Sequence, residues 1–234
     1  MYNFSIEVGK NNADSLGIKN LEVLDGHFGT PLSKMTPAEV EDTRVALIKS
    51  LNKIVVYTAY ESVKDYETYV QFFRNAHLIG VENVKLATKA IDGATNDEIQ
   101  EIIKIGAAFS IKVLFELESE SFEKYNFDWY KEIKGENTGL IFNANEFAKM
   151  GKGAFLGILY KSKYKDDIVV VRVCDMIFEG QKPAPIEKGN AEIKEVASCL
   201  LARSYKGYFS FTKYGENISV PDAVDAFTNA LCNM

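Results

Sequence analysis

Ile168-Val-Val-Val-Arg-Val-Cys-Asp175 sets a run of β-branched residues against a guanidinium and closes on a carboxylate. A continuous apolar run of this kind reads as a strand buried on both faces, as in a parallel sheet, because branched side chains pack well on a pleated surface. A charge inside such a run is costly unless it is paired, so Arg172 demands a partner or a ligand.

Seven further short runs resemble this one: Phe4-Ser-Ile-Glu-Val8, Asn20-Leu-Glu-Val-Leu24, Ile54-Val-Val-Tyr57, Asn83-Val-Lys-Leu86, Lys112-Val-Leu-Phe-Glu116, Thr138-Gly-Leu-Ile-Phe142 and Tyr208-Phe-Ser-Phe211. From the third run to the seventh the starts fall about 26 to 30 residues apart, close to one βα unit. Between them lie segments of helical period. Thr36-Pro37-Ala38-Glu39 supplies an N-cap, a proline at the first helical position and a reciprocal glutamate, and Val40, Leu47, Ile48 and Leu51 continue as one apolar stripe. Tyr66, Tyr69, Val70 and Phe73 form a second stripe. Ile99, Ile102 and Ile103 follow Thr95-Asn-Asp-Glu98, while Val196, Leu200 and Leu201 follow Asn190. A last helix starts around Pro221.

Alternating strands and helices predict a single domain over residues 1–234, a compact α/β (β/α)8 barrel of the TIM type with parallel strands. Its first unit is short, since little separates Val8 from Asn20. A doubly wound open sheet with a nucleotide function would call for a glycine-rich phosphate turn, and the sequence has none.

Composition narrows the function. A net charge of −6, from 27 basic and 33 acidic residues well mixed along the chain, offers no basic stripe for nucleic acid. Apolar runs fall far short of the roughly 20 residues that span a bilayer. The start Met-Tyr-Asn-Phe-Ser-Ile-Glu lacks a basic leader, and the expected location is cytoplasmic. Cys174, Cys199 and Cys232 are distant and odd in number, which points to free thiols. With only His27 and His77, any metal would lean on carboxylates.

A barrel of this type carries its site at the C-terminal ends of the strands. The polar residues found there are Glu22 and His27, Tyr60 and Glu61, Lys89, Glu116 and Glu118, Asn143, Asn145 and Glu146, Arg172 and Asp175, and Thr212, Lys213 and Tyr214. Period-two alternation puts Leu114 on the side of Glu116 and Phe115 toward the helices. Glu116 and Arg172 each need a partner and could serve one another.

On these residues, the stretch from about Gly106 to Thr212 resembles the sugar phosphate isomerase/epimerase family of xylose isomerase-like barrels, to which endonuclease IV is related in fold. The resemblance implies a metal-assisted proton transfer between adjacent sugar carbons. The family ends its fifth strand in Glu, its sixth in Asp with His three residues on, its seventh in His-x-x-Asp and its eighth in Glu. Val113-Leu-Phe-Glu116 keeps the first glutamate, whereas Asn143 and Glu146 stand for the aspartate and histidine of the sixth strand. Arg172 replaces the metal histidine of the seventh strand, Asp175 is kept, and Thr212 stands where the last glutamate would be. Gly189-Asn-Ala-Glu-Ile193 and Tyr205-Lys-Gly207 match the framework.

Arginine is always protonated and cannot ligate a metal, so the resemblance implies a divergent member without the usual metal. In that member Glu116, Glu146 and Asp175 are the candidate acids and bases, and Arg172, Asn143, Thr212, His27 and Lys213 the candidate contacts to a small sugar-like or anionic ligand. An alternative keeps Mg²⁺ or Mn²⁺ on Glu116, Glu146 and Asp175, and another is a non-catalytic binding barrel. Lys89 and Lys213 have the strand-end position of Schiff-base lysines but no desolvating neighbours in sequence. The long, breaker-rich connection Phe178–Gly189 is the candidate lid, with Lys182 and Lys188 within it.

Overall fold

A computed structural model describes residues 2–8 and 16–233. The short first unit between Val8 and Asn20 lies largely outside them. The eight predicted runs are the barrel strands: β1 (Phe4–Glu7), β2 (Asn20–Leu24), β3 (Lys53–Ala59), β4 (Asn83–Leu86), β5 (Lys112–Glu116), β6 (Thr138–Asn143), β7 (Ile168–Arg172) and, after a hairpin, β10 (Tyr208–Phe211). They close in the order β1, β10, β7, β6, β5, β4, β3, β2, so sequence neighbours pair until the chain ends meet, and the pairs with resolved register are parallel. The chain is a (β/α)8 barrel.

Packing divides the chain into two compact units. One runs from β2 to Glu116 and adds Lys124–Gly139, with α1 (Pro37–Ser50), α2 (Tyr66–Ile79), α3 (Thr88–Ile91), α4 (Asn96–Ala108) and α5 (Phe127–Ile133). The predicted Thr36–Glu39 capping box forms, and Thr95 makes a second one with Glu98. The stripe on α1 is narrower than predicted: Val40 and Leu47 are buried, but Ile48 is 59% exposed, and Leu51 is 77% exposed and ends the helix in a left-handed conformation. Tyr69, Phe72 and Phe73 of α2 pack on one another, with Tyr57 edge-on to Phe72, while Tyr66 and Val70 face outward. Phe115 packs edge-on against Trp129 and Tyr130 of α5. Tyr57 and Phe115 thus face the helices, and alternation turns Thr58, Leu114 and Glu116 to the barrel side.

The other unit holds β1, the segment 117–123 and everything from Leu140 onward, including α6 (Ala144–Lys149), α7 (Ile193–Leu201) and α8 (Val220–Cys232). Phe209 and Phe211 pack against Phe227 of α8, and Phe142 against Phe147 of α6. Asn190 does not cap α7; the N-cap is Glu192 in a left-handed conformation, whose carboxylate accepts from Phe155 and Leu156 N–H groups. Asn190 instead receives the Phe178 N–H. The predicted lid, Phe178–Gly189, begins inside a small antiparallel hairpin: β8 (Asp175–Ile177) precedes it and pairs with β9 (Lys182–Ala184) within it.

Candidate functional site

In the unit built from β2 to β5, inward polar residues occur on each of four successive strands. Glu22 is in register with Val56, Thr58 with Lys85, and Lys85 with Leu114, two residues before Glu116. Glu22 is 3% exposed and Thr58 7%. Lys85 Nζ lies 2.5 Å from Glu116 Oε2, with side-chain exposures of 14% and 7%. Such positions in barrels of this fold are usually filled by bulky aliphatic side chains, and a row of polar groups there is costly unless it is put to use. Lys85 is not among the residues predicted from sequence. A charge in mid-strand is the signal that points to it, the same one that marks Glu116.

At the end of β3, Glu61 Oε1 accepts from Ser33 Oγ at 2.9 Å, and its main-chain oxygen accepts from the Tyr69 hydroxyl at 2.9 Å. Glu61 Oε2 is buried and has no hydrogen-bond partner among the described residues. Asp25 Oδ1 accepts from Tyr57 Oη and Leu32 N, both at 2.8 Å. Burial first, then the charge of Asp25, pushes the Tyr57 hydroxyl above its ordinary range; burial and then Glu61 do the same to Tyr69. His27 is exposed in the turn after β2, edge-on to Phe28. Lys89 is exposed, with Nζ 4.1 Å from the Tyr60 ring centroid.

In the second unit, Asn143 and Ser210 are both in register with Arg172. Arg172 is 5% exposed and its Nη1 donates to Ser210 Oγ at 2.9 Å. Asn143 Oδ1 accepts from Asn145 N at 3.2 Å, capping α6, and from Cys174 Sγ at 3.3 Å. Asp175, 2% exposed, binds three main-chain N–H groups: Met176 and Ala191 on Oδ1 at 2.8 and 3.0 Å, Gly189 on Oδ2 at 2.9 Å. Glu146 accepts from Ser119 N and Oγ at 2.9 and 2.7 Å, and from Lys149 Nζ at 2.6 Å. Tyr214 Oη donates to Ala184 O at 2.9 Å; burial, then Cys174 and Asp175, raises its pKa. Thr212 is half-buried and Lys213, Lys182 and Lys188 are exposed. A surface groove of about 790 Å³ between residues 154–159 and α7 is lined by Phe155, Tyr160, Lys194, Cys199 and Arg203, none of them a predicted site residue.

Comparison with solved structures decides the fold type. The chain superposes over 99% of its length on 95% of a xylose isomerase domain protein from Planctomyces limnophilus, with a TM-score of 0.70 and 12% identity. The likeness shows the fold of this chain, the (β/α)8 barrel it shares with that protein. A D-tagatose 3-epimerase-like protein shares the barrel at a TM-score of 0.69 and 16% identity, over 99% of this chain and 97% of that one. Endonuclease IV from Thermus thermophilus does so at 0.68 and 17%, over 100% and 99%. No protein-family model and no curated protein matches the sequence.

Arg172 has no lone pair to give, Glu116 faces an ammonium, and the Asp175 oxygens are engaged by main-chain N–H groups. Among the described residues no group of three or more His, Cys, Asp or Glu could hold a metal ion. No helix among them is long and apolar enough to cross a membrane.

Proposed function

We propose that the protein is a sugar isomerase- or epimerase-like barrel, acting on a small polyhydroxy or anionic ligand at the C-terminal ends of its strands, in which the chain's own cations stand in for a divalent metal. The observation that carries this reading is the Lys85–Glu116 pair on the inward face of β4 and β5. Moving a proton between adjacent sugar carbons needs a base at the C–H bond and positive charge for the oxygen that becomes an oxyanion. Glu116 supplies the first and Lys85 the second. Glu61 Oε2, a buried acceptor, supports a hydroxyl-bearing ligand. Arg172 suits an anionic group, since its planar fork matches a carboxylate or phosphate. On this reading Glu146 and Asp175 position the backbone and do not move protons. The protein works in the cytoplasm on a metabolite, not on nucleic acid.

The engagement of Glu146 and Asp175 in structural hydrogen bonds favours a second reading, a barrel that binds a sugar without converting it. One experiment separates the two: proton NMR in D2O with a panel of aldoses, ketoses and their phosphates, with EDTA present. Deuterium entering the carbon beside the carbonyl, lost in Glu116→Gln, is the expected result. Thermal stabilisation by a sugar that takes up no deuterium would establish the binder, and turnover that EDTA abolishes would overturn the metal-independent reading.

A further inference from the structure

A lysine that captures a carbonyl compound must be desolvated and must have a group at hand to take its proton. Lys89 and Lys213 are exposed and fail the first condition. Lys85 meets both: its side chain is 14% exposed on the inward face of β4, and its Nζ lies 2.5 Å from the 7% exposed carboxylate of Glu116. Thr58, in register with Lys85 on β3, places a buried hydroxyl on the adjacent strand, and Glu22 lies one strand further on.

From this geometry we infer that Lys85 is a covalent capture site for the keto or aldehyde carbon of a small hydroxy-carbonyl compound, with Glu116 as its proton relay. The inference rests on the reading that a polyhydroxy ligand enters this end of the barrel, and goes beyond it by making the required cation covalent. The ammonium first gives a proton to Glu116. The neutral amine then adds to the carbonyl carbon, forming the C–N bond as the carbonyl π electrons move to oxygen. Glu116 carries a proton from nitrogen to that oxygen, and then a second, so that the C–O bond breaks and water leaves. The products are an iminium and a Glu116 carboxylate, so three protons, one oxygen and the net charge of the pair are all accounted for. The iminium acidifies the neighbouring C–H bond, and the same carboxylate lies next to the nitrogen that activates it. Removal and return of that proton on opposite faces would invert the carbon.

Borohydride reduction tests this without needing turnover. The full chain is incubated with dihydroxyacetone, D-glyceraldehyde or D-fructose, reduced, digested and mapped by mass spectrometry, while thermal stabilisation by each sugar is recorded in parallel. One reduced adduct concentrated on the peptide containing Lys85 is expected. It should be absent in Lys85→Arg, which keeps the charge but cannot form the iminium, and should form about tenfold or more slowly in Glu116→Gln, which removes the relay. Location of the adduct in the unaltered chain stands even if a variant folds poorly. Label spread evenly over exposed lysines overturns the inference. A sugar that stabilises the protein but leaves no adduct at Lys85 overturns it and spares the wider reading; no stabilisation and no adduct defeats both.

Discussion

Lys85 and Glu116 face each other across adjacent strands, ammonium to carboxylate at 2.5 Å, both largely out of water. Removing one partner of such a pair leaves a buried charge uncompensated, at about 3–5 kcal/mol, whereas replacing both with apolar groups of similar volume is often neutral. Lys85→Met is therefore expected to lower stability by about 3 kcal/mol, and Lys85→Met with Glu116→Leu to recover most of that loss. Urea unfolding of the single and double variants measures the coupling. A loss in the double variant equal to the sum of the losses in Lys85→Met and Glu116→Leu would show that the pair is not energetically linked.

Asp175 binds three main-chain N–H groups, and asparagine in its place turns one acceptor oxygen into an amide donor aimed at them. Asp175→Asn should cost about 1–3 kcal/mol. Hydrogen exchange at Met176, Gly189 and Ala191 should accelerate more than exchange elsewhere in the chain. Gly189 has its own constraint, because a Cβ there would overlap Asp175 Oδ1 and the Met176 backbone. Gly189→Ala should open the same segment even with Asp175 intact.

The Thr36–Glu39 and Thr95–Glu98 boxes make acid stability measurable. Main-chain and side-chain hydrogen bonds from the capping threonines hold both carboxyls below the ordinary value of 4.5. A depressed folded pKa gives stability that is complete above the unfolded value and lost as pH falls through the folded one. Thermal midpoints should fall on acidification below about 4.5, and less steeply in Thr36→Val with Thr95→Val. Identical acid slopes would assign the loss to other carboxylates.

Elemental analysis offers a direct check on the proposed role of the cations. Protein purified without chelators, then incubated with Mg²⁺, Mn²⁺, Co²⁺ or Zn²⁺ and desalted, is expected to carry well under one equivalent of any of them. A stoichiometric ion released by Glu116→Gln would place the metal on this carboxylate and displace Lys85 from its assigned part.

The barrel was legible because strands buried on both faces must be short and β-branched, so all eight runs stand out from the amphipathic helices between them. Local chemistry was less visible. Leu51 continues an apolar pattern, yet it lies beyond the last helical residue in a left-handed turn where packing no longer dictates burial. The hairpin of β8 and β9 has three-residue strands, one with Pro183 at its centre, too short to show a period. Lys85 lies inside β4 and so is hidden from any reading of strand ends, where Lys89 stands, although a charge within a strand obeys the same rule that singles out Glu116 and Arg172. The engagement of Asp175 with Gly189 and Ala191 depends on a chain reversal that no spacing in the sequence encodes.

Trp129 is the only tryptophan in the chain, and it packs edge-on against Phe115, whose strand neighbour is Glu116. Its indole N–H is held by Asn96 Oδ1 at 3.1 Å, and Tyr125 forms a second edge-to-face pair with it. The protein therefore carries an intrinsic fluorophore on the helix side of β5, the strand that bears Glu116. A ligand that shifts this strand should change the emission, so occupancy can be followed by fluorescence without a label.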